Sequence, residues 1–260
     1  MRDPHVRHLR YSIRHGNDTS FVGPPGVHAT TNSFEALLEE GILTVTMLEH
    51  FSSVDHARAV VDPYLRAWEL QDELQGARTG IEFVYETAEV IDRDPPPPGE
   101  RKVVKVEAGL YSVSGMSATL HVGRRSYPPP PAQFAVNPDV ETMWFRYRGY
   151  LSGREPLLAM AYFCLSVLEA SAGGRDRAAA IYSVDREVLR KIGEFSSTRG
   201  DASSARKASG VGTPLLDREA GWLDAAVRLL IARAAEVAGG RSVAQITMKD
   251  LPYLYSNPTK

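Results

Sequence analysis

Cysteine is almost absent from this sequence, because Cys164 is the single cysteine among 260 residues. One thiol cannot form an intramolecular disulfide or a zinc site built from several cysteines, which excludes disulfide-rich secreted domains and zinc fingers. Cys164 also lies in an apolar segment, and its half of the chain contains no histidine that could activate it. We therefore interpret Cys164 as a core residue rather than a nucleophile.

Long apolar runs are also missing. The longest, residues 156–168, is shorter than the roughly 20 residues that a transmembrane helix needs, and the N-terminus lacks the apolar stretch of a signal peptide. We therefore expect a cytoplasmic protein that does not enter a membrane. The chain contains no Walker loop and no glycine fingerprint after a strand, so we predict no nucleotide cofactor.

The chain as a whole has no large charge excess, since its formal net charge is -2, but its two halves differ in net charge. Residues 1–135 contain 13 Lys and Arg against 18 Asp and Glu, while residues 136–260 contain 17 against 14. All seven histidines lie in the first half, so acid–base chemistry based on histidine belongs there. Their closest cluster, Glu49–His50 with Asp55–His56, lacks the fixed spacing of metal ligands, and we predict no metal site.

The first half has the pattern of short strands around one helix. Period-2 alternation predicts a strand over residues 8–14, and β-branched residues predict another over 41–48. Ser53 is a typical N-cap for a helix whose apolar residues recur every three or four positions up to Trp68. Further strands are predicted over 81–91, 102–113 and 117–122. Residues 1–135 are thus predicted to form an α+β domain, a small antiparallel sheet with a helix.

The second half, residues 136–260, has the pattern of a four-helix bundle. Asn137–Pro138 is a helix opening, and residues 155–171 are apolar nearly all round, which predicts the central helix. A third helical region, with a break near Asp185, and a fourth region follow. The third helical region spans residues 175–197. The fourth helix is predicted to begin at Thr213–Pro214 and to end at Gly239–Gly240. Residues 245–254 are predicted to pack back on the bundle as a tail.

Two tetraproline runs, Pro95 to Pro98 and Pro128 to Pro131, cannot lie inside a sheet because proline lacks an amide donor. We predict that both are exposed polyproline II connectors and that the second marks the domain boundary. Residues 125–131 also fit the R-x-x-P-x-x-P pattern of SH3 ligands. A connector is the simpler interpretation of that segment.

One constellation in the first half suggests catalysis. Asp92 and Asp94 end one predicted strand, and Glu100 and Lys102 open the next, which resembles the aspartate and E-x-K pattern of metal-dependent nucleases. Across a hairpin, the carboxylates could hold Mg²⁺ as a cofactor while the lysine activates water. The alternative interpretation is a charged hairpin rim without chemistry.

A basic loop before the last predicted helix suggests binding. Small hydroxyl residues and glycines alternate there with cations, which leaves the backbone free to approach phosphate oxygens. We predict that an anionic ligand contacts Arg190, Lys191, Arg199, Arg206 and Lys207. The alternative is a solvated loop that only links two helices.

The helical half resembles the HEPN superfamily, helical bundles that include RNases and their inactive relatives in prokaryotic defence and toxin systems. The resemblance lies in residues 160–169, in residues 188–192 and in the arginine loop. Catalytic members need an R-x(4–6)-H motif, but the loop has Arg206 where the histidine would stand. The segment from Arg10 to His15 fits the motif, but it lies in the first half of the chain and not in the helical half. The resemblance therefore implies a bundle of that kind without the usual catalysis.

Our leading hypothesis is therefore a two-domain binding protein that recognises nucleic acid or another anionic ligand. The alternative is the metal-dependent nuclease, and a protein partner or a homo-oligomer also stays open. An aromatic helix face could serve recognition, although its amphipathic spacing favours the core. That face contains Trp144, Phe145, Tyr147 and Tyr150.

Overall fold

The computed structural model describes residues 2–16, 19–74, 80–94, 104–108, 122–200 and 213–254. The chain divides into two compact units, Met1–Ala132 (unit 1) and Gln133–Lys260 (unit 2). The eight described strands lie in unit 1, and five of the six described α-helices lie in unit 2. The α+β class is confirmed, while the predicted division fell after residue 135.

Unit 1 is built on an antiparallel sheet of six strands in the order β3-β4-β5-β1-β6-β7. Strands β2 and β8 form a separate parallel pair. One helix, α1, follows β5 in the chain. The bounds are β1 Pro4–Arg14, β2 Thr19–Phe21, β3 Val27–Thr30, β4 Phe34–Glu39, β5 Ile42–Met47, α1 Val54–Leu74, β6 Glu82–Asp92, β7 Val104–Ala108 and β8 Val122–Arg124.

The core of unit 1 lies between the sheet and α1. Alternate residues of β4 and β5 are buried, because successive side chains of a strand point to opposite faces. The buried side chains of α1 recur at helical spacing and reach Trp68, which is fully buried. The predicted helix is thus confirmed, with Pro63 on its exposed side.

The sheet is larger than the sequence pattern indicated. Strands β2, β3 and β4 were not predicted. The sequence of β4, Phe-Glu-Ala-Leu-Leu-Glu, is rich in residues that are common in helices, so its conformation depends on pairing with β3 and β5. Of the predicted strands over 102–113 and 117–122, only 104–108 and residue 122 fall within the described residues.

The second proline run, which we predicted to be an exposed connector, is only partly exposed, because Pro129 is exposed whereas the first residue of the run is not. Pro128 is buried, and its carbonyl oxygen accepts a hydrogen bond of 3.1 Å from the indole Nε1–H of Trp68. The preceding Tyr127 is buried as well. A buried Pro128 cannot dock on the groove of an SH3 domain, so this correction also removes that interpretation. The first run lies outside the described residues.

Unit 2 contains five described helices. They are α2 Pro138–Leu151, α3 Leu157–Ala172, α4 Arg175–Ile181, α5 Arg186–Thr198 and α6 Asp217–Ala238. The side chain of Asn137 accepts the amide N–H of Val140, which confirms the predicted opening of α2. Helix α3 contacts all four other helices, so the prediction of a central apolar helix is confirmed.

The third predicted helical region is divided into α4 and α5, with a break at residues 182–185. Asp185 caps α5 by accepting the amide N–H of Glu187. The buried guanidinium of Arg233 on α6 donates to the carbonyl oxygens of Tyr182 and Ser183, which fixes the turn. Among its described residues, unit 2 therefore has one α-helix more than predicted, and the four-helix bundle arrangement stays a prediction.

The tail packs back on unit 2 as predicted. Ile246 forms a parallel bridge with Val184, and a short 3₁₀ helix follows over Met248–Asp250. Leu251 and Leu254 are buried. Helix α6 begins at Asp217, slightly after the predicted opening at Thr213–Pro214, and ends before Gly239.

Within the described ranges, no single helix has both the length and the apolarity needed to cross a bilayer. Helices α3 and α4 satisfy those criteria only together, across a bend of 83°.

Candidate functional site

The three described cations of the predicted anion site all contact carboxylates of the protein itself. On α5, Arg190 donates to Glu187 and, at 3.1 Å, to Glu194. The ammonium of Lys191 lies 2.9 Å from Glu194 and 4.9 Å from the ring centroid of Phe195. Hydrogen bonds from Arg190 lower the pKa of Glu187, and those from Lys191, with Arg190, lower that of Glu194.

Arg199 is held in the same way at the end of α5. Its guanidinium lies 2.9 Å from the carboxylate of Glu219, and Glu219 also accepts the amide N–H of Leu216 at the start of α6. The ion pair thus joins two helix ends. An anionic ligand at these cations would have to compete with internal carboxylates. Arg206 and Lys207 lie outside the described residues.

The described part of the predicted nuclease site is a structural contact. The carboxylate of Asp92 accepts the backbone N–H groups of Arg2, Asp3 and Asp94 at 2.8, 3.0 and 3.2 Å. These hydrogen bonds, first those from Asp3 and Arg2, lower the pKa of Asp92. Asp92 therefore tethers the start of β1, and Asp94 is exposed beside it. Glu100 and Lys102 lie outside the described residues.

Histidines gather near Asp92 without forming a metal centre. His50 Nε2 lies 3.2 Å from a carboxylate oxygen of Asp3, and its ring lies 5.5 Å from that of His5. In the part of the chain that the structure describes, no group of three or more histidine, cysteine or acidic side chains could hold a metal ion.

A hydroxyl, an imidazole and a carboxylate also meet on the sheet. Thr46 Oγ1 lies 3.1 Å from His8 Nδ1, and His8 Nε2 lies 3.8 Å from Glu89. Nucleophilic catalysis further requires free N–H donors for the developing oxyanion. Thr46 and His8 belong to β5 and β1, which are interior strands of the sheet, and the register of β1 with β6 shifts beside His8. Interior strands use most of their N–H groups for pairing, so few backbone donors are left for an oxyanion there.

A concave site in unit 1 offers a better basis for function. Its volume is about 450 Å³, within the range of small-molecule sites. It lies where β1 ends, where β4 turns into β5, and where β2 approaches Tyr127. The lining residues are Ile13, His15, Phe21, Gly23, Pro24, Glu39, Glu40, Gly41 and Tyr127.

The turn between β4 and β5 forms one wall of this concavity. Glu39 pairs with Ile42, so the turn consists of Glu40 and Gly41 alone, with φ of 49° and 79°. Two positive φ angles are typical of a type I′ hairpin turn, whose twist matches that of the strands. Glycine adopts this conformation freely, whereas a glutamate there is strained.

Hydrogen bonds and ring contacts position the turn and the floor of the concavity. Gly41 donates its N–H to the hydroxyl of Tyr127 at 2.7 Å and accepts the N–H of Ile13 at 2.9 Å. The ring of Tyr127 contacts that of Phe21, with centroids 4.8 Å apart, and Phe21 contacts His15 edge-on at 5.8 Å. Two aromatic rings thus form a floor that the hairpin turn holds in place.

No protein-family model, curated protein or solved structure matches this chain. The HEPN resemblance accordingly stays a prediction, and function rests on the chain's own residues.

Sequence reasoning missed this concavity. Its residues come from four separate segments, and only the fold brings Tyr127 to Phe21 and Gly41. A local signal was present, because Glu40–Gly41 separates two segments with buried alternate residues and could have indicated a hairpin. The pattern was assigned to a single strand from residue 41 instead.

Proposed function

We propose that the protein binds a small organic ligand in the concavity of unit 1, and that it acts by binding rather than by catalysis. The observation that carries the proposal is the aromatic floor, Phe21 against Tyr127, inside a concave site of about 450 Å³. Aromatic rings with one polar end are common in ligand sites, because they offer apolar area together with an orienting group.

The lining supports binding over covalent catalysis. Among the residues that the structure describes, the lining contains no serine, threonine, cysteine or lysine that could act as a nucleophile. The hydroxyl of Tyr127 accepts the N–H of Gly41, which orients it as part of the wall. Histidine and glutamate remain, and both can bind polar groups of a ligand through hydrogen bonds.

The proposal is tested by ligand-observed NMR with a panel of small aromatic compounds that includes 2-phenylethanol and 2-phenylethylamine. We expect Phe21→Ala to weaken binding by about tenfold, because it removes half of the aromatic floor. Val22→Ala is the matched control, since Val22 is the next residue, is 64% exposed and does not line the concavity.

Circular dichroism and thermal unfolding establish that both variants stay folded. The proposal fails if no compound of the panel binds, or if Phe21→Ala and Val22→Ala bind the panel equally well.

The anion-binding and nuclease hypotheses stay predictions with tests of their own. Salt-dependent retention of nucleic acid should weaken when Arg199, Arg206 and Lys207 become alanine. Cleavage of labelled RNA or DNA that needs Mg²⁺ and is lost in Glu100→Ala would support the nuclease; intact substrate throughout would exclude it.

A further inference from the structure

We propose that the ligand of the unit 1 concavity carries a positively charged nitrogen, an ammonium or a guanidinium, attached to an apolar or aromatic body. This inference rests on the proposed binding function and specifies the class of its ligand. It follows from the charges, the hydrogen-bonding capacity and the aromatic surface that the lining presents together.

The charged side chains of the lining have one sign. Glu39 and Glu40 are exposed carboxylates, and the described residues of the lining include no lysine or arginine. Within the described residues, neither carboxylate forms an ion pair. Glu187, Glu194 and Glu219 of unit 2, by contrast, each contact an arginine or lysine of the protein. Two glutamates of the concavity are thus left for a cation from outside.

The imidazole of His15 is also part of the lining, and a hydrogen bond positions it. His15 Nδ1 lies 3.1 Å from the carbonyl oxygen of Gly16, and a carbonyl oxygen only accepts. Nδ1 therefore carries the hydrogen, which leaves Nε2 of a neutral imidazole with its lone pair. The two carboxylates make the concavity rich in acceptors, so a ligand with several N–H donors fits it.

The aromatic floor favours the same ligand class. The rings of Phe21 and Tyr127 are inclined by 43° with their centroids 4.8 Å apart, and Phe21 is the more exposed of the two. The face of such a ring attracts a cation, and its carbon surface holds an apolar body. A charged nitrogen joined to a hydrocarbon or aromatic group satisfies both the carboxylates and the rings.

The strained position of Glu40 provides a way to separate binding from stability. Asparagine or glycine adopts a positive φ with less strain than glutamate, so Glu40→Asn should leave the fold intact and raise its unfolding temperature. The same substitution removes one carboxylate from the lining. Loss of binding in a variant that is more stable than the parent cannot be attributed to unfolding.

The experiment compares three probes of matched size by NMR titration of the full chain near neutral pH. They are 2-phenylethylamine, which is a cation there, neutral 2-phenylethanol and anionic phenylacetate. We expect the amine to bind at least about tenfold more tightly than the alcohol, and the anion to bind most weakly. The preference should decrease between about 0.02 and about 0.5 M salt, because exposed charges are screened.

Charge-neutral variants assign the preference to the two glutamates. Glu39→Gln and Glu40→Asn should each reduce the amine's advantage, and the double variant should abolish it. Glu35→Gln is the matched control, since Glu35 is an exposed residue of the same strand that does not line the concavity. It should leave the amine's advantage unchanged.

The outcomes distinguish this inference from the function on which it rests. If the amine and the alcohol bind equally, or if the double variant retains the preference, the cationic class is wrong while the binding site stands. If none of the three probes binds, both the site and the ligand class are overturned.

Discussion

Gly239, the residue after α6, lies where two stretches of backbone nearly touch. A Cβ atom there would lie 2.4 Å from the carbonyl carbon of Gln133 and 2.5 Å from the amide nitrogen of Phe134. The approach is held by a hydrogen bond of 3.0 Å from the N–H of Ala135 to the carbonyl oxygen of Ala235. Glycine is required here for lack of space rather than for its backbone angle, since its φ is −80°.

We therefore predict that Gly239→Ala lowers the free energy of unfolding by about 1–3 kcal/mol, because backbone atoms must move to make room. Gly221→Ala is the control on the same helix, where a Cβ meets nothing within 4 Å. It should raise stability by up to about 1 kcal/mol, since alanine favours helix over glycine. Urea denaturation of both variants measures the difference; equal effects would contradict the close approach.

Helix α1 is tied to the segment that forms the floor of the concavity. Trp68 is fully buried, and its indole N–H donates to Pro128 O, one residue after Tyr127. We predict that Trp68→Phe lowers the free energy of unfolding by about 2–4 kcal/mol, because it leaves a gap and an unpaired buried carbonyl.

Trp222 provides the matched control in unit 2. It is equally buried, but its indole N–H has no hydrogen-bond partner among the described residues. Trp222→Phe therefore removes no hydrogen bond, and its loss of stability in chemical denaturation should be the smaller one. A loss as large as that of Trp68→Phe would show that the bond to Pro128 contributes little.

The charge and histidine asymmetry of the chain predicts how the whole molecule responds to pH. The seven histidines belong to unit 1, and the pKa values of His5 and His8 are lowered, in each case mainly by burial. At His5, the nearby His50 and Arg93 lower the pKa further, whereas Asp3 raises it. At His8, Arg7 and Arg10 lower the pKa further, whereas Glu89 raises it. A lowered pKa means that the unfolded chain binds protons first.

We therefore expect the thermal midpoint of unfolding to fall as the pH drops from about 7 through the ordinary histidine range near 6.5. The double variant His5→Gln, His8→Gln should flatten this part of the profile. A second fall should begin below about pH 4, near the ordinary aspartate pKa, because the unfolded chain takes up a proton there while the lowered pKa of Asp92 keeps the folded carboxylate charged. Asp92→Asn should weaken only the second fall of the thermal midpoint. A thermal midpoint that does not change with pH above pH 5 would contradict the assignment of the first fall to His5 and His8.

Much of the secondary structure of unit 2 could be predicted from local sequence patterns. Asn137 as a cap and the apolar surface of α3 are properties of short segments, and both were confirmed. The break at Asp185 was also visible locally, because aspartate is a strong N-cap. The additional helix α4 was not counted, since its seven residues are too short for a clear helical period.

Unit 1 was harder to predict because strands depend on partners. Composition and alternation determined the α+β class, the helix from Ala57 to Trp68 and several strands, since these signals repeat along a single segment. Pairing decided the conformation of β4, and packing decided that Pro128 is buried. The concavity was likewise decided by tertiary structure, because Phe21, Glu39 and Tyr127 are distant in sequence and meet only when the sheet forms. Local patterns report the periodicity of one segment, whereas a binding site depends on contacts between segments.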